Sequence, residues 1–145
     1  WTSQGIDISK KSVELSTTMA KSSGLESKVK FREFDALSFK GTKKYDAAIS
    51  CFLMEHLEEP QRLLQNMASN LEARGYAFIA AALTAAEVDH ICEFRRESEI
   101  VLMAEEAGFR VVSMYSSAPL CHPDSQKFLP RALGVVLQKR KNDIW

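Results

Sequence analysis

The sequence has few glycines, and their spacing excludes the common glycine-rich phosphate-binding loops. Only six occur in 145 residues, at positions 5, 24, 41, 75, 108 and 134. No two of them are close enough for the loops of dinucleotide-binding or P-loop proteins, which need glycines a few residues apart. The patterns GxSxG and HExxH are also absent, which excludes a hydrolase nucleophile elbow and a zincin-type metal site.

The sequence also lacks an excess of one charge, paired cysteines and long apolar runs. The 19 basic residues balance the 19 acidic ones, so we expect no nucleic-acid partner, which would require a basic surface. The three cysteines, Cys51, Cys92 and Cys121, form no CxxC pair and predict reduced thiols in the cytoplasm. No apolar run approaches the roughly 20 residues of a membrane span, so no membrane partner is expected.

The most informative stretch covers residues 45–60. An apolar run, 47–49, leads through Ser50 and Cys51 to the polar pair Glu55 and His56. Pro60 then predicts the start of a helix, because proline suits the first helical position. Strand, loop and helix in this order form a unit of an open α/β sheet, in which ligands bind beyond the carboxyl ends of the strands. Residues 50–56 are therefore the first candidate site.

Apolar runs and helix-end signals predict the remaining elements. Ser9 suits a helix N-cap, and Gly24, Gly75 and Gly108 suit helix ends. The predicted strands cover residues 1–7, 29–34, 45–50, 76–83, 109–115 and 132–138, and the predicted helices cover 9–22, 60–75 and 97–107. Since no helix separates the last two strands, they pair as antiparallel neighbours. The prediction is an α/β fold of one domain, residues 1–145, with an open, mostly parallel sheet, one antiparallel strand near an edge, and helices on both faces.

Acidic or small polar residues follow three of the predicted strands. They are Asp7, Asp35 and Ser50. Carboxylates at the ends of parallel strands suit the hydroxyl and amine donors of a nucleoside. Alternatively, Asp7 and Asp35 only cap turns or helix starts.

Five short motifs, in order, resemble the class I S-adenosylmethionine-dependent methyltransferases, a Rossmann-like family. The motifs are Gly5-Ile-Asp-Ile-Ser9, Phe34-Asp-Ala36, Tyr45-Asp-Ala-Ala-Ile-Ser50 with Glu55-His-Leu57, Asn70-Leu-Glu-Ala-Arg-Gly-Tyr76 and Ala107-Gly-Phe109. The resemblance implies S-adenosyl-L-methionine as cofactor. It also implies that Asp7, with Ile8 beside it, holds the ribose hydroxyls, and that Asp35 and Ala36 contact the adenine. Ser50, Cys51 and Phe52 match the segment along the methionine part.

The first strand of that family and its glycine-rich loop have no counterpart before Gly5. We expect this sequence to be the C-terminal part of a longer, methyltransferase-like fold. A degenerate protein that no longer binds the cofactor is the alternative. A glycine-rich GxGxG within roughly 25 residues upstream would favour the enzyme.

Glu55, His56 and His90 allow three interpretations. His56 can make a local hydrogen bond at a helix start, or His56 or His90 can act as a general base toward an acceptor. The third is a metal site, because a Glu-His pair with a later histidine resembles the metal-dependent ubiquinone-type and small-RNA O-methyltransferases. Those carry a further acid three residues before the glutamate, where this chain has Phe52, so no metal is expected. His56 and His90 are the candidate catalytic residues.

The resemblance predicts methyl transfer to a small-molecule acceptor. A non-catalytic binding or scaffolding module with the same fold is the alternative, and a dehydrogenase is a weaker one. Arg95 and Arg96 are either solvated or contact an acidic substrate. The long connections 84–96 and 116–130 are expected to set acceptor specificity, because loops carry function on a rigid scaffold.

Overall fold

The computed structural model describes residues 1–85, 88–117 and 131–141. The chain divides into two compact units, Trp1–Lys40 and Gly41–Trp145. The single domain over residues 1–145 stays a prediction. None of the helices in the described ranges has the length and apolarity that a membrane crossing requires.

The first unit is a parallel βαβ unit. It consists of strand β1 (Ser3–Asp7), helix α1 (Lys10–Ser22) and strand β2 (Val29–Glu33). β1 pairs with β2 in parallel, with Asp7 opposite Glu33. The ends of α1 follow the predicted signals, since the Ser9 hydroxyl accepts from the Ser12 N–H at 3.2 Å and Gly24 has a φ of 65°.

The second unit contains a four-stranded sheet and two helices. Its elements are β3 (Tyr45–Cys51), a short 3₁₀ helix (Met54–His56), α2 (Pro60–Asn70), β4 (Leu71–Leu83), α3 (Glu97–Glu106), β5 (Phe109–Ser116) and β6 (Arg131–Lys139). The strand order is β3-β4-β6-β5. β3 is parallel to β4, and β6 is antiparallel to both β4 and β5. β3, β4 and β5 therefore run in one direction, which confirms the predicted α/β fold with one antiparallel strand near an edge.

The core of the second unit lies between the sheet and its helices. α2 and α3 contact each other, and they pack against β4 and β5 respectively. The helices contribute the buried side chains Leu63, Leu64, Ile100 and Ala104, and the sheet contributes Ala77, Ile79, Ala81, Leu133, Val135 and Leu137. These sheet residues alternate along β4 and β6, because successive side chains of a strand point to opposite faces. Each fully buried Leu or Ile stabilises the fold by roughly 1.5–3 kcal/mol.

The predicted boundary between α2 and β4 is wrong. We expected the helix to end at Gly75 and the strand to begin at Tyr76, whereas α2 ends at Asn70 and β4 begins at Leu71. Leu71 is buried, 1% exposed, with an extended backbone, and it pairs with Tyr45. Glu72, Ala73 and Arg74 favour a helix, but their propensities differ from those of other residues by only a few tenths of a kcal/mol each. Burial and strand pairing of Leu71 outweigh them.

Part of the predicted connection after β5 lies outside the described residues. This undescribed part covers residues 118–130 and includes Cys121 and His122.

The two other predicted helix ends agree with the structure. α3 ends at Glu106, and Gly108 adopts a φ of 90°.

Candidate functional site

Asp7 is the last residue of β1 and is exposed. Its carboxylate oxygen Oδ1 accepts from the Ser9 N–H at 2.7 Å, and its carbonyl accepts from the Phe34 N–H at 2.9 Å. Ile8, which follows, is 75% exposed. Asp7 therefore supports the turn into α1, as the capping alternative predicts. A carboxylate has about four acceptor sites, so it can also accept from a ligand.

Asp35 follows β2 and is exposed as well. Its Oδ1 accepts from the Leu37 N–H at 2.9 Å and its Oδ2 from the Ser38 hydroxyl at 3.2 Å. Ala36 beside it is half-buried. Because β1 and β2 are hydrogen-bonded parallel neighbours, the first unit places Asp7 at one strand end and Asp35 two residues beyond the adjacent one.

In the second unit, the chain bends at Phe52, directly after β3. Ser50 is buried and Cys51 is an exposed free thiol. The Phe52 N–H donates to the Ala80 carbonyl of β4 at 2.8 Å. Phe52 has a φ of 51°, which a bulky residue rarely adopts, and its side chain is 52% exposed. An aromatic ring and a thiol are therefore exposed at the carboxyl end of the strand.

The end of β4 shows the same backbone feature, which the sequence does not predict. Thr84 has a φ of 53°, and its N–H donates to the Phe94 carbonyl at 2.7 Å. Left-handed residues other than glycine are strained and cluster at functional sites. Neither Phe52 nor Thr84 carries a sequence signal for this conformation, because the conformation is imposed by contacts with β4 and with Phe94.

His56 and His90 come into contact. Their ring centroids are 4.9 Å apart and the rings cross at 80°. His56 Nδ1 lies 3.0 Å from the Asp89 carbonyl oxygen, and His90 Nδ1 lies 2.8 Å from the Ala85 carbonyl oxygen. A carbonyl can only accept, so each Nδ1 carries a proton and donates it. In the neutral rings, each Nε2 therefore holds the lone pair.

Glu55 is a buried carboxylate, 1% exposed. Its Oε1 accepts from the Ala82 N–H of β4 at 3.3 Å. The Glu55 carbonyl accepts from the N–H groups of Ile91 and Cys92 at 2.8 and 2.9 Å. These bonds fasten the connection after β4 to the 3₁₀ helix. The sequence raised Glu55 only as part of the metal interpretation and could not predict its burial, because that burial depends on residues more than twenty positions away.

Arg95 and Arg96 are exposed, in agreement with the solvated interpretation. Arg95 pairs with Glu93 at 3.4 Å and Arg96 with Glu99 at 3.8 Å.

The α/β fold is that of the class I S-adenosylmethionine-dependent methyltransferases. A family model described as "Methyltransferase domain" matches residues 2–129. The chain belongs to this family. A comparison with curated proteins gives no match.

Solved structures share the fold at low sequence identity. The N-methyltransferase NodS from Bradyrhizobium japonicum, in complex with S-adenosyl-L-homocysteine, is 16% identical with a TM-score of 0.72, over 94% of this chain and 65% of that one. A SAM-dependent methyltransferase from Methanosarcina mazei is 16% identical with a TM-score of 0.73, over 95% and 82%. The [4+2]-cyclase SpnF is 14% identical with a TM-score of 0.80, over 97% and 67%. At such identities the likeness concerns the fold, and the fold does not dictate the chemistry.

Proposed function

We propose that this protein transfers a methyl group from S-adenosyl-L-methionine to a small-molecule acceptor. The observation that carries the proposal is the end of β3 in the second unit. There the exposed Cys51 and Phe52 and the paired rings of His56 and His90 follow a strand end, where open α/β sheets bind ligands. The balanced charge of the chain favours a small acceptor over a nucleic acid.

In the proposed reaction the acceptor attacks the methyl carbon in line with the sulfonium sulfur. The new bond forms as the carbon–sulfur bond breaks, and the bonding pair stays on sulfur as a neutral thioether. An acceptor O–H or N–H loses its proton. Most of the rate gain would come from proximity and orientation.

Each unit supplies its own proposed cofactor contacts. In the first unit, Asp7 and Ile8 would contact the ribose, and Asp35 and Ala36 the adenine, because both carboxylates are exposed after adjacent strands. In the second unit, residues 50–52 would lie along the methionine part. Ser50 is buried, whereas Cys51 and Phe52 are exposed and would face the ligand.

His56 and His90 are the proposed proton acceptors. Each Nδ1–H is held by a carbonyl, which leaves Nε2 to accept the acceptor's proton. The described part of the connection 84–96 lies beside these rings, and we propose it as a specificity segment. The second segment, 116–130, falls largely outside the described residues. The free thiols Cys51 and Cys92 support a reducing, cytoplasmic location.

Calorimetric titration with S-adenosyl-L-homocysteine tests the cofactor proposal. The sample should be the full-length protein, and its folding should be checked by circular dichroism. We expect saturable binding to one site. A folded sample that shows no binding at roughly millimolar ligand would contradict the proposal. A dissociation constant of about 1 mM corresponds to a binding free energy of only about 4 kcal/mol.

Turnover distinguishes the enzyme from a binding module. Release of S-adenosyl-L-homocysteine is measured with pools of small hydroxyl, amine and carbon acids. Cofactor binding without release in any pool would favour the module.

A further inference from the structure

The residues Glu55, His56 and His90 form a cluster whose ligand atoms are close enough to share a metal ion. Each offers one ligand atom, and these atoms all lie within 4.8 Å of one another. His90 is 34 positions from His56, so the cluster is created by the fold. All three residues belong to the second unit.

The two histidines are oriented as metal ligands are. Each Nδ1–H donates to a main-chain carbonyl, of Asp89 for His56 and of Ala85 for His90. In metal sites, a ligating histidine commonly donates its other N–H to a carbonyl or carboxylate, which fixes the tautomer and the ring orientation. The Asp89 carboxylate lies 3.7 Å from the same nitrogen of His56 and reinforces this arrangement.

Glu55 supplies a second, independent indication. Its Oε2 is buried and has no hydrogen-bond partner among the described residues, while Oε1 makes only a long bond to the Ala82 N–H. A buried carboxylate oxygen without a partner is costly. A cation beside Oε2 would satisfy it.

We propose that the cluster binds one divalent transition-metal ion through Glu55 Oε2, His56 Nε2 and His90 Nε2. Two imidazoles and one carboxylate suit first-row ions such as Zn²⁺, Co²⁺ and Fe²⁺. Three protein ligands leave a coordination position open. Position 52 holds a phenylalanine and not the further acid that the sequence pattern of metal-dependent O-methyltransferases would require. A fourth protein ligand is therefore missing there, which leaves the coordination position open.

This inference does not depend on methyl transfer. In the metal-loaded protein the Nε2 lone pairs are occupied, so the histidines act as ligands, and the proton-acceptor role applies to the metal-free protein. Metal binding can therefore succeed or fail without regard to cofactor binding.

The test is a titration of the untagged, full-length protein, treated with a chelator, with Co²⁺, followed by visible absorption, and with Zn²⁺, followed by calorimetry. We expect cobalt d–d bands that saturate at one ion per chain and disappear when Zn²⁺ is added. A folded protein that binds neither ion at the cluster overturns the proposal.

Two variants keep the test decisive. His90→Asn retains an N–H donor for the Ala85 carbonyl but lacks Nε2, and Glu55→Gln retains the acceptor for the Ala82 N–H but lacks the charge. Each should weaken metal binding by more than the roughly 10–100-fold that is lost when a hydrogen-bond partner of a metal ligand is changed.

Glu58→Gln is the matched control, because Glu58 is an exposed neighbour and the variant loses the same charge. It should bind the metal as the wild type does. If Glu55→Gln does not fold, His90→Asn decides, and wild-type affinity in His90→Asn overturns the assignment.

Discussion

Asp7 combines a structural contact with the position of a ligand contact. Its Oδ1 receives the Ser9 N–H, and the residue is exposed after β1. The two interpretations from the sequence, capping and nucleoside binding, are therefore compatible. Substitution experiments can separate them because asparagine retains the capping acceptor and loses the charge.

We expect Asp7→Ala to weaken binding of S-adenosyl-L-homocysteine by at least about tenfold, because charge-assisted hydrogen bonds to the ribose hydroxyls are lost. It should also lower the melting temperature, because the bond to the Ser9 N–H is lost. Asp7→Asn should retain the melting temperature and still bind more weakly. Calorimetry and thermal unfolding measure both quantities. Wild-type affinity in Asp7→Ala would remove Asp7 from the site.

Cys51 is an exposed thiol within the proposed cofactor segment. Bound S-adenosyl-L-homocysteine should shield the Cys51 thiol from iodoacetamide. When the ligand concentration is one hundred times the dissociation constant, alkylation of Cys51 should slow by about 100-fold, because only the ligand-free fraction of the protein reacts. Peptide mass spectrometry follows the rate. Cys92, whose thiol donates to the Leu57 carbonyl at 3.1 Å, is the internal reference. Equal rates at Cys51 with and without saturating ligand would exclude the contact.

At the scale of single elements, β4 departs most from its sequence pattern. The strand begins at Leu71, and Arg74 within it has a φ of 65°. The left-handed region costs a residue other than glycine roughly 1–2 kcal/mol. The register between β3 and β4 shifts between Tyr45 and Ala47, so the left-handed residue coincides with a local irregularity of the sheet.

Arg74→Gly is therefore expected to stabilise the protein by about 0.5–1 kcal/mol, since relief of the strain exceeds the added entropy of the unfolded chain. Urea unfolding measures the change in the free energy of unfolding. Glu72→Gly is the matched control, because Glu72 is also exposed in β4 and its φ is not positive. That control should lose about 0.5–1 kcal/mol. Equal destabilisation in both variants would show that strain at Arg74 is unimportant.

At the scale of the whole molecule, one ion pair joins distant parts of the second unit. Arg131 at the start of β6 donates to Glu97 at the start of α3 at 2.9 Å. The Glu97 backbone N–H, the Ser116 hydroxyl and Arg131 together hold the pKa of the Glu97 carboxyl below its ordinary value of 4.5, although partial burial opposes them. The carboxylate thus stabilises the fold when it is ionised.

The pH dependence follows from the sign of this shift. Because the folded-state pKa lies below the unfolded-state value, the stabilisation is complete above about pH 4.5 and is lost as the pH falls through the folded-state pKa. Glu97→Gln should lower the melting temperature at pH 7 by roughly 1–4 °C, and the difference should shrink at lower pH. Thermal unfolding from pH 7 to pH 3 checks this. Glu105→Gln, exposed on the same helix, should show no such pH-dependent loss, and a constant difference for Glu97→Gln would contradict the assignment.

The sequence by itself determined the elements whose signals are local. Ser9 and Gly24 set the ends of α1, Pro60 the start of α2, and Gly108 the end of α3, because caps and turns depend on a few neighbouring residues. The antiparallel pairing of β5 with β6 was predictable because the sequence between them carries no helical pattern. The ordered motifs likewise indicated the methyltransferase family.

Only the tertiary structure decided what depends on residues far apart in the chain. It placed His90 against His56 and buried Glu55 beside them. This arrangement is the basis for the proposed metal site, which the sequence did not predict. It also began β4 at Leu71 and imposed a left-handed backbone on Phe52. The physical reason is the same in each case: burial and hydrogen bonding with distant strands outweigh local propensities of a few tenths of a kcal/mol per residue.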